Sequence, residues 1–215
     1  MSARAEVLAR VRRALGEPRA EPGAIEAEAA TLTGALEEIR PGVPDQGALD
    51  RFVEKATSER LTATVERLAA DELPARVRAY LAANGLAPEL AAALPPALAG
   101  LDWGELSLKD TIAPDEPVAL TWAEAAVAET GTLVFASAPD APTLFNFLPL
   151  HHLAVVRTDD VVPYLEDVWQ RYADRPAPRA LSLVTGTSGT ADIEGQNVRG
   201  AHGPRHLHIY LLETP

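Results

Sequence analysis

The sequence predicts an α/β fold whose mostly parallel sheet is covered on both faces, with a helical arm ahead of it. Three observations predict it: helix-spaced and strand-spaced apolar patterns alternate from residue 48 onward, short β-branched apolar runs recur in the second half, and the connections between them are short. Runs of that kind read as strands buried on both sides, and short strand-helix-strand connections suit parallel pairing.

The elements follow in order. Residues 3–15 set Val7, Leu8, Val11 and Leu15 on one stripe, with Ser2 as N-cap and Glu6 four residues before Arg10, the pattern of an amphipathic helix. Eight Pro and Gly residues between Pro18 and Gly47 predict an irregular tether with a short helix near Ile25 to Leu36. The boundary expected is therefore 1–47 for the arm and tether and 48–215 for the α/β domain. Leu49, Phe52, Val53 and Ala56 fall at helical spacing, and Leu61, Ala63 and Val65 alternate with threonines as a strand would. Asp71 opens a second helix that Asn84-Gly85 closes. Residues 86–117, broken by five prolines, predict one or two short elements without fixing any of them. Beyond them, Thr132–Ser137, Leu153–Val156 and Leu181–Thr185 predict buried strands, with a helix over Val161 to Tyr172 and a final strand from His206 to Leu212.

Composition removes several functions. The 215 residues hold no cysteine, so this chain brings no disulfide, no thiolate nucleophile and no Cys-ligated zinc or iron-sulfur cluster. The formal charge is −12, and residues 101–215 carry 16 acidic against 7 basic groups, which argues against coating nucleic acid or an anionic membrane. No apolar run reaches the roughly 20 residues of a membrane span, and the arginine-rich start has no signal-peptide core, so a cytoplasmic protein is expected.

Three glycine-rich polar segments stand at strand ends. Glu129-Thr130-Gly131-Thr132 enters a strand, the run from Thr185 to Asp192 leaves one, and Gly200-Ala201-His202-Gly203-Pro204 precedes the last. A turn built of Gly186, Thr187, Ser188, Gly189 and Thr190 that opens a helix would present backbone N–H groups to a phosphate or carboxylate, and is also simply a tight capped turn. Glu129 is a candidate base or acyl-transfer nucleophile, or a structural acceptor for turn N–H groups. Asp192 and Glu194 suit a helix start. His202, between small residues in a loop, is the candidate acid or base among the five histidines; His151, His152, His206 and His208 suit structural places, His151 and His152 on opposite faces and His206 and His208 on one. No metal-ligand spacing, Walker loop or nucleophile elbow is present.

In the order Ala-Glu-Thr-Gly-Thr-Leu-Val (128–134), Leu-Pro-Leu-His-His-Leu-Ala-Val-Val (148–156), Gly-Thr-Ser-Gly-Thr-Ala-Asp-Ile-Glu (186–194) and Gly-Ala-His-Gly-Pro-Arg (200–205), the chain resembles the LUD-domain family. The resemblance implies a three-layer α/β/α domain, similar to NagB/RpiA/CoA-transferase-like folds. It implies a component of a system oxidising L-lactate to pyruvate, whose other subunits carry iron-sulfur motifs and would be its partners. On that reading the chain is a ligand-binding or accessory subunit without a redox centre, and Thr130, Gly131, Thr132, Gly186, Thr187, Ser188, Gly189, Thr190, Asp192 and Gly203 hold a small anion. The alternative is an independent enzyme acting on a phosphorylated, CoA-linked or folate-type molecule. Family members carry Pro-Ser-Arg-Thr where this chain has Thr187-Ser188-Gly189-Thr190, and an arginine near the position of Thr143; both departures remove a guanidinium from a segment suited to anions.

Overall fold

The computed structural model describes residues 2–16, 21–34, 47–173, 175–193 and 196–213. The chain divides into two units, residues 1–44 and 45–215. In the first, helix α1 spans Ala3–Leu15 and α2 spans Pro22–Gly34. The Ser2 hydroxyl accepts from the Ala5 N–H, and Val7, Leu8, Val11 and Leu15 of α1 are all exposed. The remainder of the expected tether, at 17–20 and 35–46, lies outside the described residues.

The second unit is built on a six-stranded sheet in the order β1-β12-β7-β4-β2-β3, with every pairing parallel. Its strands are β1 (Thr64–Ala69), β2 (Glu89–Ala93), β3 (Ser107–Lys109), β4 (Val118–Trp122), β7 (His151–Arg157) and β12 (His206–Glu213). Period-two alternation splits each central strand between two cores. Leu153, Val155, Tyr210 and Leu212 face Leu73, Val77 and Leu81 of helix α4 (Leu73–Ala83). Ala154, Val156, Ile209 and Leu211 face Phe52 and Ala56 of helix α3 (Ala48–Ala56), together with Leu133 and Phe135. Burial on both faces explains why these strands read as unbroken apolar runs.

Leu133 and Phe135 belong to a second sheet, β8-β5-β6-β9, formed by β5 (Ala125–Val127), β6 (Thr132–Ala136), β8 (Val161–Val162) and β9 (Leu181–Thr185). It packs beside α3, and its outer face takes Val168 of helix α7 (Leu165–Gln170). Two short helices, α5 (Pro96–Ala99) and α6 (Leu144–Phe147), fill connections, and β10 (Gly189–Ile193) pairs antiparallel with β11 (Gln196–Arg199).

Four expectations are corrected. The strand expected from Leu61 begins at Thr64, because Thr62 donates its N–H to the Ser58 carbonyl at 2.8 Å and takes φ 56°, so the threonine alternation begins in a turn. β9 does not join β7 in one parallel sheet; β8 diverts the chain by pairing with β5, and β9 then runs antiparallel to β6. β9 is also not buried, since it is an edge strand with Leu183 42% exposed. The run after Thr185 opens a β-hairpin rather than a helix, because residues 189–193 spend their backbone groups on β11. Asp192 therefore lies on a strand, its side chain outside the description, and Glu194 lies outside the described residues.

Candidate functional site

The turn at Thr185–Thr187 is fixed by the backbone of a segment far away in sequence. Gly186 has φ +74°, and a Cβ there would stand 2.6 Å from the Leu61 carbonyl oxygen, so only glycine fits. Thr187 donates its N–H to that same carbonyl at 3.0 Å. On the other side, Ser188 N–H donates to the Pro204 carbonyl and Gly200 N–H to the Ser188 carbonyl, each at 2.9 Å, which joins the turn to the His202 loop. Gly203 packs so closely on Ser188 that a Cβ would meet its Oγ at 3.2 Å.

Two concavities meet at this turn, and Thr185 and Thr187 line both. The smaller is a cavity of about 210 Å³ that brings Ser188, His202 and Gly203 together with Asn146, Phe147 and His152. The larger is an open groove of about 950 Å³, lined by Glu129, Thr130 and Gly189 with Lys55, Arg60 and Arg199. Glu129 and His202 thus line different concavities rather than one. Thr143 lies away from both, in a depression beside Arg179.

Hydroxyls and one guanidinium connect the groove. Thr132 Oγ1 lies 2.7 Å from both Thr130 Oγ1 and Thr185 Oγ1, a chain across the β5–β6 hairpin and β9. Gly131 closes that hairpin with φ +69°, its α-carbon against the end of α3. Arg199 donates to Thr187 Oγ1 at 2.6 Å and to the Arg60 carbonyl at 3.3 Å, while Thr62 Oγ1 is 2.8 Å from Thr187 Oγ1. β11 thus supplies a guanidinium to the turn at Thr187. Thr190 contributes through the hairpin, where it pairs with Val198.

In the cavity the singular group is His152. It is fully buried, its Nε2 lies 2.7 Å from Thr121 Oγ1, and its Nδ1 has no hydrogen-bond partner. Burial pushes it down to about 3, so the ring is neutral at physiological pH. Asn146, 6% exposed, adds an amide to the same wall.

Sequence reasoning missed Arg199, Lys55, Arg60, Asn146 and His152. The His-His pair at 151–152 did signal that one imidazole must face each side of the strand. The three cations had no signal, because they reach the groove from α3, the turn after it and β11. The site also sits at the amino ends of β7 and β12, not at the carboxyl ends where open α/β sheets usually bind ligands. Among the described residues, no group of three or more His, Cys, Asp or Glu could hold a metal ion. No helix among them is long and apolar enough to cross a membrane.

The family model of the LUD domain matches residues 112–212, which contain most of this site. Several relatives that the chain resembles bear the name lactate utilization protein C. It is 31% identical to that of Anoxybacillus flavithermus over 87 residues, 40% of each chain. With that of Bacillus licheniformis it shares 35% over 101 residues, 45% of this chain and 42% of the relative, so these two matches span about two fifths of the relatives' length. With that of Exiguobacterium sp. it shares 29% over 190 residues, 82% of each. A crystal structure of a DUF162 family protein from Deinococcus radiodurans shares the fold at a TM-score of 0.56 and 20% identity, covering 77% of this chain and 96% of that one.

Proposed function

We propose that this chain acts in lactate utilization as a ligand-binding component, and that the Thr185–Thr187 turn receives a small carboxylate such as L-lactate or pyruvate. The observation that carries this reading is the Arg199 guanidinium, held 2.6 Å from Thr187 Oγ1 where cavity and groove meet. A carboxylate arriving there replaces a neutral hydroxyl with a charged acceptor, a stronger partner for a guanidinium. The neutral His152 ring, with Nδ1 unpartnered, belongs to the cavity's lining. The names of the relatives support the pathway, and the cysteine-free composition supports electron transfer on iron-sulfur partner subunits.

Calorimetric titration of the purified chain with L-lactate and pyruvate tests this. Saturable binding that weakens about tenfold in Arg199→Gln is the expected result, corresponding to roughly 1.4 kcal/mol. Absence of binding by either acid, together with normal growth on L-lactate after deletion of the gene, overturns it. A second reading, an enzyme for a larger phosphorylated or acyl-linked substrate, is favoured by the size of the groove and by its three cations. In that reading Glu129, which lines the groove, is the acid-base candidate, and binding follows the larger anion instead of the three-carbon acids.

A further inference from the structure

We infer that the opposite end of the six-stranded sheet, at the carboxyl ends of its central strands, carries a second binding site, specific for a phosphoryl group, in the depression where Arg157, Arg171 and Arg175 converge. It goes beyond the turn site, which lies at the amino ends of β7 and β12. β4 ends at Trp122 and β7 at Arg157, neighbouring strands whose carboxyl ends open onto a hollow of about 460 Å³. Carboxyl ends of this kind are where open α/β sheets place their ligands.

The depression holds three guanidiniums against two carboxylates, Glu124 and Asp160. Asp160, 8% exposed, accepts from Arg157 Nε and Arg171 Nη1, each at 2.7 Å. Arg171 Nη1 also donates to the Glu124 carbonyl at 3.1 Å, and Arg175 pairs with the Glu124 carboxylate, which accepts the Tyr172 hydroxyl as well. One carboxylate thus clamps two forks, so the guanidiniums outnumber the carboxylates in the lining, while Asp159 adds a further negative charge near Arg157. Each guanidinium has five N–H donors. Arg157 commits Nε to Asp160 and rests over the Trp122 ring at 5.6 Å, and among the described residues neither of its Nη groups has a hydrogen-bond partner.

The ion pairs therefore orient the forks without exhausting them. A carboxylate is filled by one fork, whereas three forks from the end of β7 and from α7 and beyond match the additional oxygens and second charge of a phosphoryl group. The shared chemistry fits free phosphate or a phosphate ester.

Titration with inorganic phosphate and with glycerol phosphate at constant ionic strength, read by tryptophan fluorescence and melting temperature, tests the site. A saturable response is expected, at least fivefold weaker in Arg157→Gln and in Arg175→Gln, and unchanged in Arg199→Gln, which alters only the turn site. Tighter binding of inorganic phosphate marks the free ion as ligand, and tighter binding of glycerol phosphate marks an ester; either supports the site. No saturable response in the folded wild-type protein overturns the inference. So does an equal response in Arg157→Gln, whose side chain is 57% exposed and whose partner Asp160 keeps its pairing with Arg171, or a response lost only in Arg199→Gln. Phosphate binding that fails while lactate binding persists refutes this site alone.

Discussion

His151 and His206 stack across neighbouring strands, ring centroids 4.3 Å apart and planes 16° from parallel. Tyr80 closes the group, its hydroxyl 2.9 Å from His151 Nδ1 and its ring 5.0 Å from that of His208. All three rings are held below the ordinary histidine value: His151 by burial and then by His206, His206 by burial and then by Arg205, and His208 by burial against the opposing pull of Glu66.

Acidification therefore destabilises the fold. Each ring binds a proton more readily unfolded than folded, so its penalty is absent above the unfolded value of 6.5 and grows as pH falls below it. For the fully buried His152, held at about 3, the slope is about 1.4 kcal/mol per pH unit between those limits. Urea midpoints at pH 7.5 and 5.5 should separate in the wild-type protein and draw closer in His152→Gln.

Gly186→Ala should cost on the order of 3 kcal/mol, since the residue needs φ +74° and its Cβ would meet the Leu61 carbonyl oxygen. Equilibrium urea unfolding measures it. The substitution tests the turn's architecture, while Arg199→Gln tests ligand binding.

Lys109 donates to Glu89 and to Glu116, whose side chain is 2% exposed. Lys109→Met leaves the Glu116 charge buried without a partner and should destabilise by about 3 kcal/mol. Glu116→Gln, which removes the charge instead, should cost clearly less; equal losses in a thermal-melt comparison would refute this account.

Leu153→Ala, at the centre of the six-stranded sheet, should lose about 2 to 5 kcal/mol, because the residue is wholly buried between neighbouring strands and α4. Chemical denaturation reads it directly.

Much of the central sheet was legible because two-sided burial writes a dense apolar run, as at Leu153–Val156 and in the strand from His206. The second sheet was not. β8 is two residues long, and nothing local in Val161-Val162 distinguishes the start of a helix from a strand that pairs with β5. The glycine turns of the candidate site were visible as residue types, since Gly186 and Gly131 mark positive φ. Their partners were hidden because Leu61, Arg60 and Arg199 reach the turn through tertiary contacts, and the hairpin at 189–199 replaced the helix start that the motif suggested.

Among the described residues β1 has β12 as sole neighbour in its sheet, with Thr64 opposite His208. Along a growing polypeptide, the α3–β1 stretch that brings Lys55, Arg60 and Leu61 to the groove must wait for a strand about 140 residues downstream before it is anchored. Assembly of the groove is then a late event of synthesis: chains stalled or cleaved before residue 206 leave β1 without its β12 partner and the groove unassembled, with unpaired strand edges of the kind that chaperones and proteases act on.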